Sequence, residues 1–302
     1  MPSSYRMLIV DPAEVPVPRM HGYLLSAVAP RPIAFASTVD AAGNANLSPF
    51  SFFNAFGSRP VTLVFSPARR VRDNTVKNTL DNVREVPEVV INVVTYDMVQ
   101  QANVASSEYP KGIDEFVKAG FSKLPSLRVR PWRVAESPVH MECKVVEIKS
   151  MGEQGGGANL VICEVLLMHI ADRVLDAQGR IDPHKLDLVA RMGQDFYCRA
   201  SGAALFRVPK PTDQPALGLD GLPEAIRNSV VLSGNDLGLL ANVERLPTAE
   251  DLQDVTVEPL LDELRRRFGN DAESFQYQCH LAAKRLLAES RVREAWKLLL
   301  SG

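Results

Sequence analysis

Apolar and polar positions alternate with a two-residue period through much of the first 210 residues, and a helical period takes over near the C-terminus. Ile33 to Val39 reads as a strand, with Ile33, Phe35 and Val39 on one face. Its other face carries the small Ala34, Ala36 and Thr38, which lets another group approach closely. Asp40-Ala41-Ala42-Gly43-Asn44 is a turn, so the strand and the segment after it are predicted to form a hairpin. Val61 to Ser66 is a short apolar strand, and Val89 to Thr95 is a continuous β-branched run expected to be a buried strand. Val139 to Ile148 alternates, placing Val139, Met141, Cys143 and Val145 inward and His140, Glu142 and Lys144 outward. Leu160 to Ile170 returns as a second long strand beyond the Gly152–Ala158 turn. Gly155-Gly156-Gly157 lies between those strands with no helix after it, so it reads as turn chemistry and not as a phosphate loop.

The helical segments are fewer. Val76, Leu80 and Val83 recur at helical spacing, and either Asp73 or Asn78 could cap that helix. With Asn78 as the cap, Lys77 and Thr79 flank a helix N-terminus, where amides, a hydroxyl and an ammonium suit a phosphate. The competing reading is a capped surface helix with a solvated lysine. Asp97 to Ser106 and Asp114 to Ala119 are further predicted helices, whereas Pro12, Pro16 and Pro18 predict an extended arm over residues 5–20. Residues 218–247 read as irregular. Beyond them Leu260, Leu261, Leu264 and Phe268 form one apolar stripe, and Phe275, Cys279, Ala282 and Leu286 a second. Ser290 is a candidate cap for a last helix through Trp296. Pro209-Lys210-Pro211 marks a domain edge, which divides the chain into residues 1–211 and a 212–302 extension. One helical hairpin unit is visible, not an array, and its stripes are expected to need a partner surface.

The stretch Asn46-Leu47-Ser48-Pro49-Phe50-Ser51-Phe52-Phe53-Asn54 fits neither pattern. Pro49 excludes a helix interior, and three Phe residues are too many for an exposed loop. Small polar groups beside flat apolar rings suit a planar ligand with a polar edge. A strand bent at Pro49, with its Phe residues in the core, explains the same residues.

The 302 residues carry a formal net charge of −2 and a sequence pI near 6.2, which argues against a broad nucleic-acid surface. Arg69, Arg70 and Arg72, and Arg265 to Arg267, are short basic clusters that read as solvated faces. The start, Met1-Pro2-Ser3-Ser4-Tyr5-Arg6, lacks the pattern of a signal peptide, and no apolar run approaches membrane-spanning length. Cys143, Cys163, Cys198 and Cys279 are widely spaced, as expected of reduced thiols in a cytoplasmic protein. His140 and Glu142 share a strand face, but no nearby Cys or His completes a metal set, so no metal is expected. Neither a Gly-x-Gly-x-x-Gly nor a Gly-x-Ser-x-Gly motif is present.

In order along the chain stand Val28-Ala29-Pro30-Arg31-Pro32-Ile33-Ala34, Ser37-Thr38-Val39-Asp40, Asn46 to Asn54, Phe65-Ser66-Pro67, Lys77-Asn78-Thr79, Glu136-Ser137-Pro138-Val139 and Gly193 to Tyr197. In these pieces and their order the chain from about Pro30 to Pro211 resembles the flavin reductase-like proteins with an FMN-binding split barrel. The resemblance implies a mostly β fold with helices, a split β-barrel followed by a C-terminal helical extension, and a homodimer. It implies that Ser37, Thr38 and Val39 meet the flavin ring, that Ser48, Pro49, Ser51, Phe53 and Asn54 line the cofactor, and that Lys77 and Thr79 hold its phosphate. The family often has Asp where this chain has Asn78, a change that keeps a helix-capping side chain. His169 corresponds to a strand histidine on the nicotinamide side, and Gly193 and Tyr197 to a piece near the pocket. The implied activity is a flavin oxidoreductase moving a hydride from NADH or NADPH to flavin, with FMN as cofactor and no Rossmann motif required. The alternatives are an FMN-binding electron-transfer protein reduced by a protein partner, and a non-catalytic interaction protein that uses the barrel as a scaffold.

Overall fold

The computed structural model describes residues 6–210 and 214–301. The N-terminal residues 1–5 and Pro211 of the expected domain edge lie outside the described residues. The chain divides into two compact units, Met1–Phe206 and Arg207–Gly302.

The first unit opens with helix α1 (Val17–Ala27), where an extended arm was expected. Pro18 sits in the first turn of that helix, where its missing N–H has no intrahelical partner to lose, so proline starts this helix instead of preventing it. Seven strands then build one antiparallel sheet: β1 (Ala34–Val39), β2 (Ala45–Phe50), β3 (Phe53–Ser58), β4 (Val61–Phe65), β5 (Glu88–Asn92), β8 (Val139–Ser150) and β9 (Asn159–Ile170). Their order is β2-β1-β5-β8-β9-β4-β3. The two outermost strands, β2 and β3, are consecutive in sequence and separated only by Ser51 and Phe52. Two residues span well under 10 Å or so of chain, so the two edges meet at this corner and the sheet curls into a split barrel. The short pairs β6 (Lys123–Leu124) with β7 (Arg133–Val134), and β10 (Val189–Arg191) with β11 (Tyr197–Arg199), lie outside that sheet.

The β1–β2 hairpin has the expected register, with Ala36 opposite Ser48 and Thr38 opposite Asn46. β1 is buried along its whole length because each of its faces packs on a different core. Phe35 joins Leu47, Met98, Phe116 and Phe121, whereas Ala34 and Ala36 join Phe50, Phe65, Leu80 and Val83. Pro49 is tolerated because β2 is an edge. The Leu47 N–H points away from the sheet, to a side chain, and Pro49, two residues on, shares that orientation, so no ladder bond is lost.

The helices of this unit are α2 (Asn78–Glu85), α3 (Val99–Val104), α4 (Glu115–Ala119) and α5 (Pro183–Leu186). Neither Asp73 nor Asn78 is the cap of α2; Lys77 occupies the N-cap position and no side chain caps it. The expected outward positions of β8 are also corrected. His140 and Glu142 are buried, and only Lys144 is exposed. Residues 127–134 cover this end of the strand, sending the Leu127 and Arg128 N–H groups to Glu142 and the Val134 N–H to Asn92.

The second unit contains α6 (Glu224–Arg227), α7 (Gly234–Ala241), α8 (Glu258–Phe268), α9 (Ala272–Ala288) and α10 (Val292–Ser301). Both C-terminal stripes are buried inside this unit, against Leu222, Ile226, Leu232 and Leu240 from the stretch read as irregular. Leu260, Phe268, Phe275 and Ala282 of these stripes are only partly buried there. Ser233 and Asp236 form a capping box that starts α7, a local signal lost among the neighbouring Gly and Pro residues.

Candidate functional site

Seven of the expected site residues line three cavities of the first unit. The smallest is polar and lies at the start of α2, where Ser48, Lys77 and Thr79 meet Asn46, Arg70 and Glu115. The N–H groups of the first helical turn have no intrahelical acceptor, and no side chain caps them. Lys77 is half-buried and has no ion-pair partner among the described residues. Burial, followed by the charge of Arg70, holds its ammonium below the usual lysine range, and Glu108 opposes the shift. Arg70 was expected in a solvated cluster. It is half-buried and donates to Thr75 Oγ1 at 2.8 Å, to the Val76 carbonyl at 2.7 Å and to Glu108 at 3.0 Å. Arg69 is bonded likewise to Asn74 at 2.6 Å, which leaves only Arg72 of that cluster on the surface.

Behind the cavity wall stands a chain of buried polar groups. Glu115 Oε1 accepts from Asn46 Nδ2 at 2.9 Å and its Oε2 from the Leu47 N–H at 3.0 Å. Asn46 Oδ1 accepts from Thr79 Oγ1 at 2.7 Å. Asn82 Nδ2 donates to Thr38 Oγ1 at 3.1 Å. Burial pushes the Glu115 carboxyl up, and its hydrogen bonds from Leu47 and Asn46 act the other way.

The second cavity, about 270 Å³, is an apolar groove along the β2–β3 corner lined by Ser51, Phe53, Asn54, Phe56 and Phe65. Arg31, which stands in the Val28–Ala34 piece but was assigned no role from sequence, lines its floor. The guanidinium is buried and donates to the Leu25 carbonyl, to the Val28 carbonyl at 2.8 Å and to the Met192 carbonyl at 2.9 Å. Its Nε lies 3.4 Å from Ser51 Oγ. Burial, then Arg191, holds Arg31 below the ordinary arginine range.

Tyr197 lines the third cavity, about 340 Å³, with Arg191, Tyr96 and Arg199. Arg191 stands 4.7 Å over the Tyr197 ring and Arg199 3.8 Å over the Tyr96 ring. Gly193 lies in the turn between β10 and β11, against α1, where a Cβ would collide with Ser26 Oγ. The pair Arg31 and Arg191 bridges the second and third cavities through the backbone.

The remaining expected residues line none of these cavities, although Thr38 belongs to the polar chain behind the first. Ser37, Thr38 and Val39 are buried in β1. Thr38 is on the face of Asn46 and Ser48, while Ser37, opposite Leu47, is on the other face and its Oγ has no hydrogen-bond partner. Pro49 is half-buried in β2. His169 lines none of the three cavities. It pairs with His140 across β8 and β9, and its Nε2 is 2.7 Å from Glu142 Oε1. Among the described residues no group of three His, Cys, Asp or Glu side chains is disposed to hold a metal ion. The four cysteines are free, and no helix is long and apolar enough to cross a membrane among the described residues.

A family model described as flavin reductase like domain matches residues 26–184. A protein of Aquifex aeolicus described as uncharacterized is 31% identical over 189 residues, which is 63% of this chain and 94% of that protein. The solved structure of nitrilotriacetate monooxygenase component B from Bacillus cereus is 25% identical with a TM-score of 0.63, covering 68% of this chain and 100% of that one. The structure of 2-nitrobenzoate 2-nitroreductase from Pseudomonas fluorescens shares the fold, at 24% identity and a TM-score of 0.61, over 70% of this chain and 100% of that one. The family match ends before the helical unit begins.

Proposed function

The chain belongs to the flavin reductase-like family, and on that premise we propose that it binds FMN and catalyses hydride transfer from NADH or NADPH to the flavin. Lys77 carries this reading. A half-buried ammonium with no ion-pair partner among the described residues, standing at the uncapped start of a helix, suits a bound anion, and Glu108 acts on it without pairing. Arg70 adds a second cation on the same cavity. The residues fit a flavin phosphate, with Lys77 and the first-turn amides of α2 as donors. Ser51, Phe53 and Asn54 form the apolar, polar-edged wall that a planar ring needs. When bound, the flavin supplies the hydride-accepting chemistry.

The protein's own work is positioning. Arg31 ties the Ser51 corner to the end of α1 and to the Met192 loop, so the groove wall is held from three directions. Gly193 lets α1 close on that loop. The groove is open along β3, which is exposed almost throughout, so a second copy of the chain is the proposed cover and the protein a homodimer. His169 shares no cavity with Lys77 within one chain, and a nicotinamide-facing role for it would also rest on that second copy. The free thiols, three of the four buried, support a reducing, cytoplasmic setting for the protein.

An anaerobic titration tests the proposal. The purified chain loaded with FMN loses its flavin absorbance on addition of NADH or NADPH. A chain that holds FMN but is bleached only by chemical reductant is not a nicotinamide oxidoreductase, and one that takes up no flavin refutes the reading entirely.

A further inference from the structure

The polar cavity at α2 was expected to use the Thr79 hydroxyl as a phosphate donor. The hydrogen-bond directions around it say otherwise. Glu115 is buried, and both of its carboxylate oxygens face donors, the Leu47 N–H and Asn46 Nδ2. An ionised carboxylate only accepts, so the Asn46 amide must turn its NH₂ to Glu115 and its Oδ1 to Thr79. Asn46 Oδ1 also only accepts, from Thr38 Oγ1 at 3.4 Å and from Thr79, so the Thr79 hydroxyl proton is committed to it across 2.7 Å. Thr79 Oγ1 then has only lone pairs left for the cavity it lines.

We propose that Glu115 is a positioning residue that sets the hydrogen-bond polarity of the phosphate site, through Asn46, so that the Thr79 hydroxyl withholds its proton from the phosphate. A phosphate dianion offers only acceptors, and an acceptor turned toward it weakens binding. The site then holds phosphate without the Thr79 hydroxyl, through Lys77, Arg70, backbone amides and the other hydroxyls that line it, those of Ser48 and Ser107. This inference rests on the proposed FMN site.

Three variants, read by quenching of flavin fluorescence with FMN and riboflavin as probes, test it. In Glu115→Gln the new amide keeps its oxygen on the Leu47 N–H and turns its NH₂ to Asn46, so the Asn46 amide flips. The Thr79 proton is then free for the phosphate. FMN affinity is expected to rise by about three- to tenfold, the worth of one additional hydrogen bond. Riboflavin, with no phosphate, stays within about twofold, since that bond is absent. Removing the Glu115 charge would also favour a phosphate, so Thr79→Val is added to Glu115→Gln. Loss of the gain in the double variant assigns it to the hydroxyl, and a gain that survives overturns the proposal. Should Glu115→Gln not fold, Thr79→Val alone decides. The preference for FMN over riboflavin is retained if the hydroxyl does not donate to the phosphate, and a tenfold drop overturns the proposal. Wild-type binding is read first. Failure to bind FMN removes the functional reading itself, whereas FMN binding with Glu115→Gln weakening it removes only this inference.

Discussion

Glu142 Oε1 lies 2.7 Å from His169 Nε2, and the carboxylate is completely buried between β8 and the loop over it. It also accepts from the Leu127 N–H at 3.0 Å and the Arg128 N–H at 2.6 Å. Burial by itself would raise this carboxyl; the bonds from Leu127, His169 and Arg128 prevail and hold it below the usual range. His169→Ala removes one hydrogen bond to a charged group and is expected to cost about 1.5–3 kcal/mol. Glu142→Ala strands two buried N–H groups as well, and a loss of about 3–5 kcal/mol is expected. Urea unfolding at pH 8 measures both. A His169→Ala midpoint equal to wild type would show that the pair contributes nothing to the fold.

His140 makes stability depend on acidity. Its Nδ1 is 2.9 Å from Asn92 Oδ1, which also accepts from the Val134 N–H. Burial first, then the charges of Arg133 and His169, push its pKa down to about 4. An unfolded histidine titrates near 6.5 or so, so between about 4 and 6.5 the unfolded chain binds the extra proton and the folded chain does not. Stability from this group is therefore complete above that window and lost as pH falls through it, by about 2–3 kcal/mol. His140→Asn keeps a donor toward Asn92 but cannot titrate. Its unfolding free energy should fall less steeply from pH 6.5 to pH 4 than that of wild type. Identical slopes would place the acid sensitivity elsewhere.

Lys77→Ala separates the phosphate from the ring. The lysine has no ion-pair partner among the described residues to leave stranded, so its loss costs ligand binding more than folding. FMN affinity should fall by about 1.5–3 kcal/mol, the worth of a charged hydrogen bond, and riboflavin affinity far less. Calorimetric titration of both flavins gives the comparison. Equal losses would remove Lys77 from the phosphate site.

Local pattern made the β1–β2 and β8–β9 hairpins legible, because period-two burial and Gly-containing turns act within a few residues. It failed where distant chain decided the environment. His140 and Glu142 alternate correctly on β8, yet residues 127–134 cover the face that alternation assigns to solvent. Arg70 looked like one of three surface charges until Glu108 and the turn at Thr75 enclosed it. The link from Asn46 to Glu115 spans 69 residues, so no window could contain both. Helix α1 and helix α7 were different failures, since the first-turn Pro18 and the Ser233–Asp236 box are local signals for helices and were outweighed by neighbouring prolines and glycines.

The last expectation concerns assembly. β3 is an outer strand of the sheet, and Phe56 on it is 68% exposed. An exposed edge strand that carries a large aromatic side chain is a pairing hazard unless something covers it. Phe56 also lines the groove formed by Ser51, Phe53 and Asn54. That groove, about 270 Å³, lies at the lower end of the range of roughly 300–1,000 Å³ usual for cofactor and drug-sized ligands, so a second chain closing over it would enlarge the proposed flavin site. A symmetric dimer through β3 would cover the edge and complete the groove together, which couples assembly to ligand binding. Phe56→Asp places a charge on that face without touching the core. Light scattering should then give a monomer mass where wild type gives a dimer, and FMN affinity should fall by at least about tenfold, the effect of losing roughly 1.4 kcal/mol of contacts. Dilution of wild type into the monomer range should release flavin in the same way. A monomeric Phe56→Asp that still binds one FMN per chain with wild-type affinity would mean that the site is complete within a single chain.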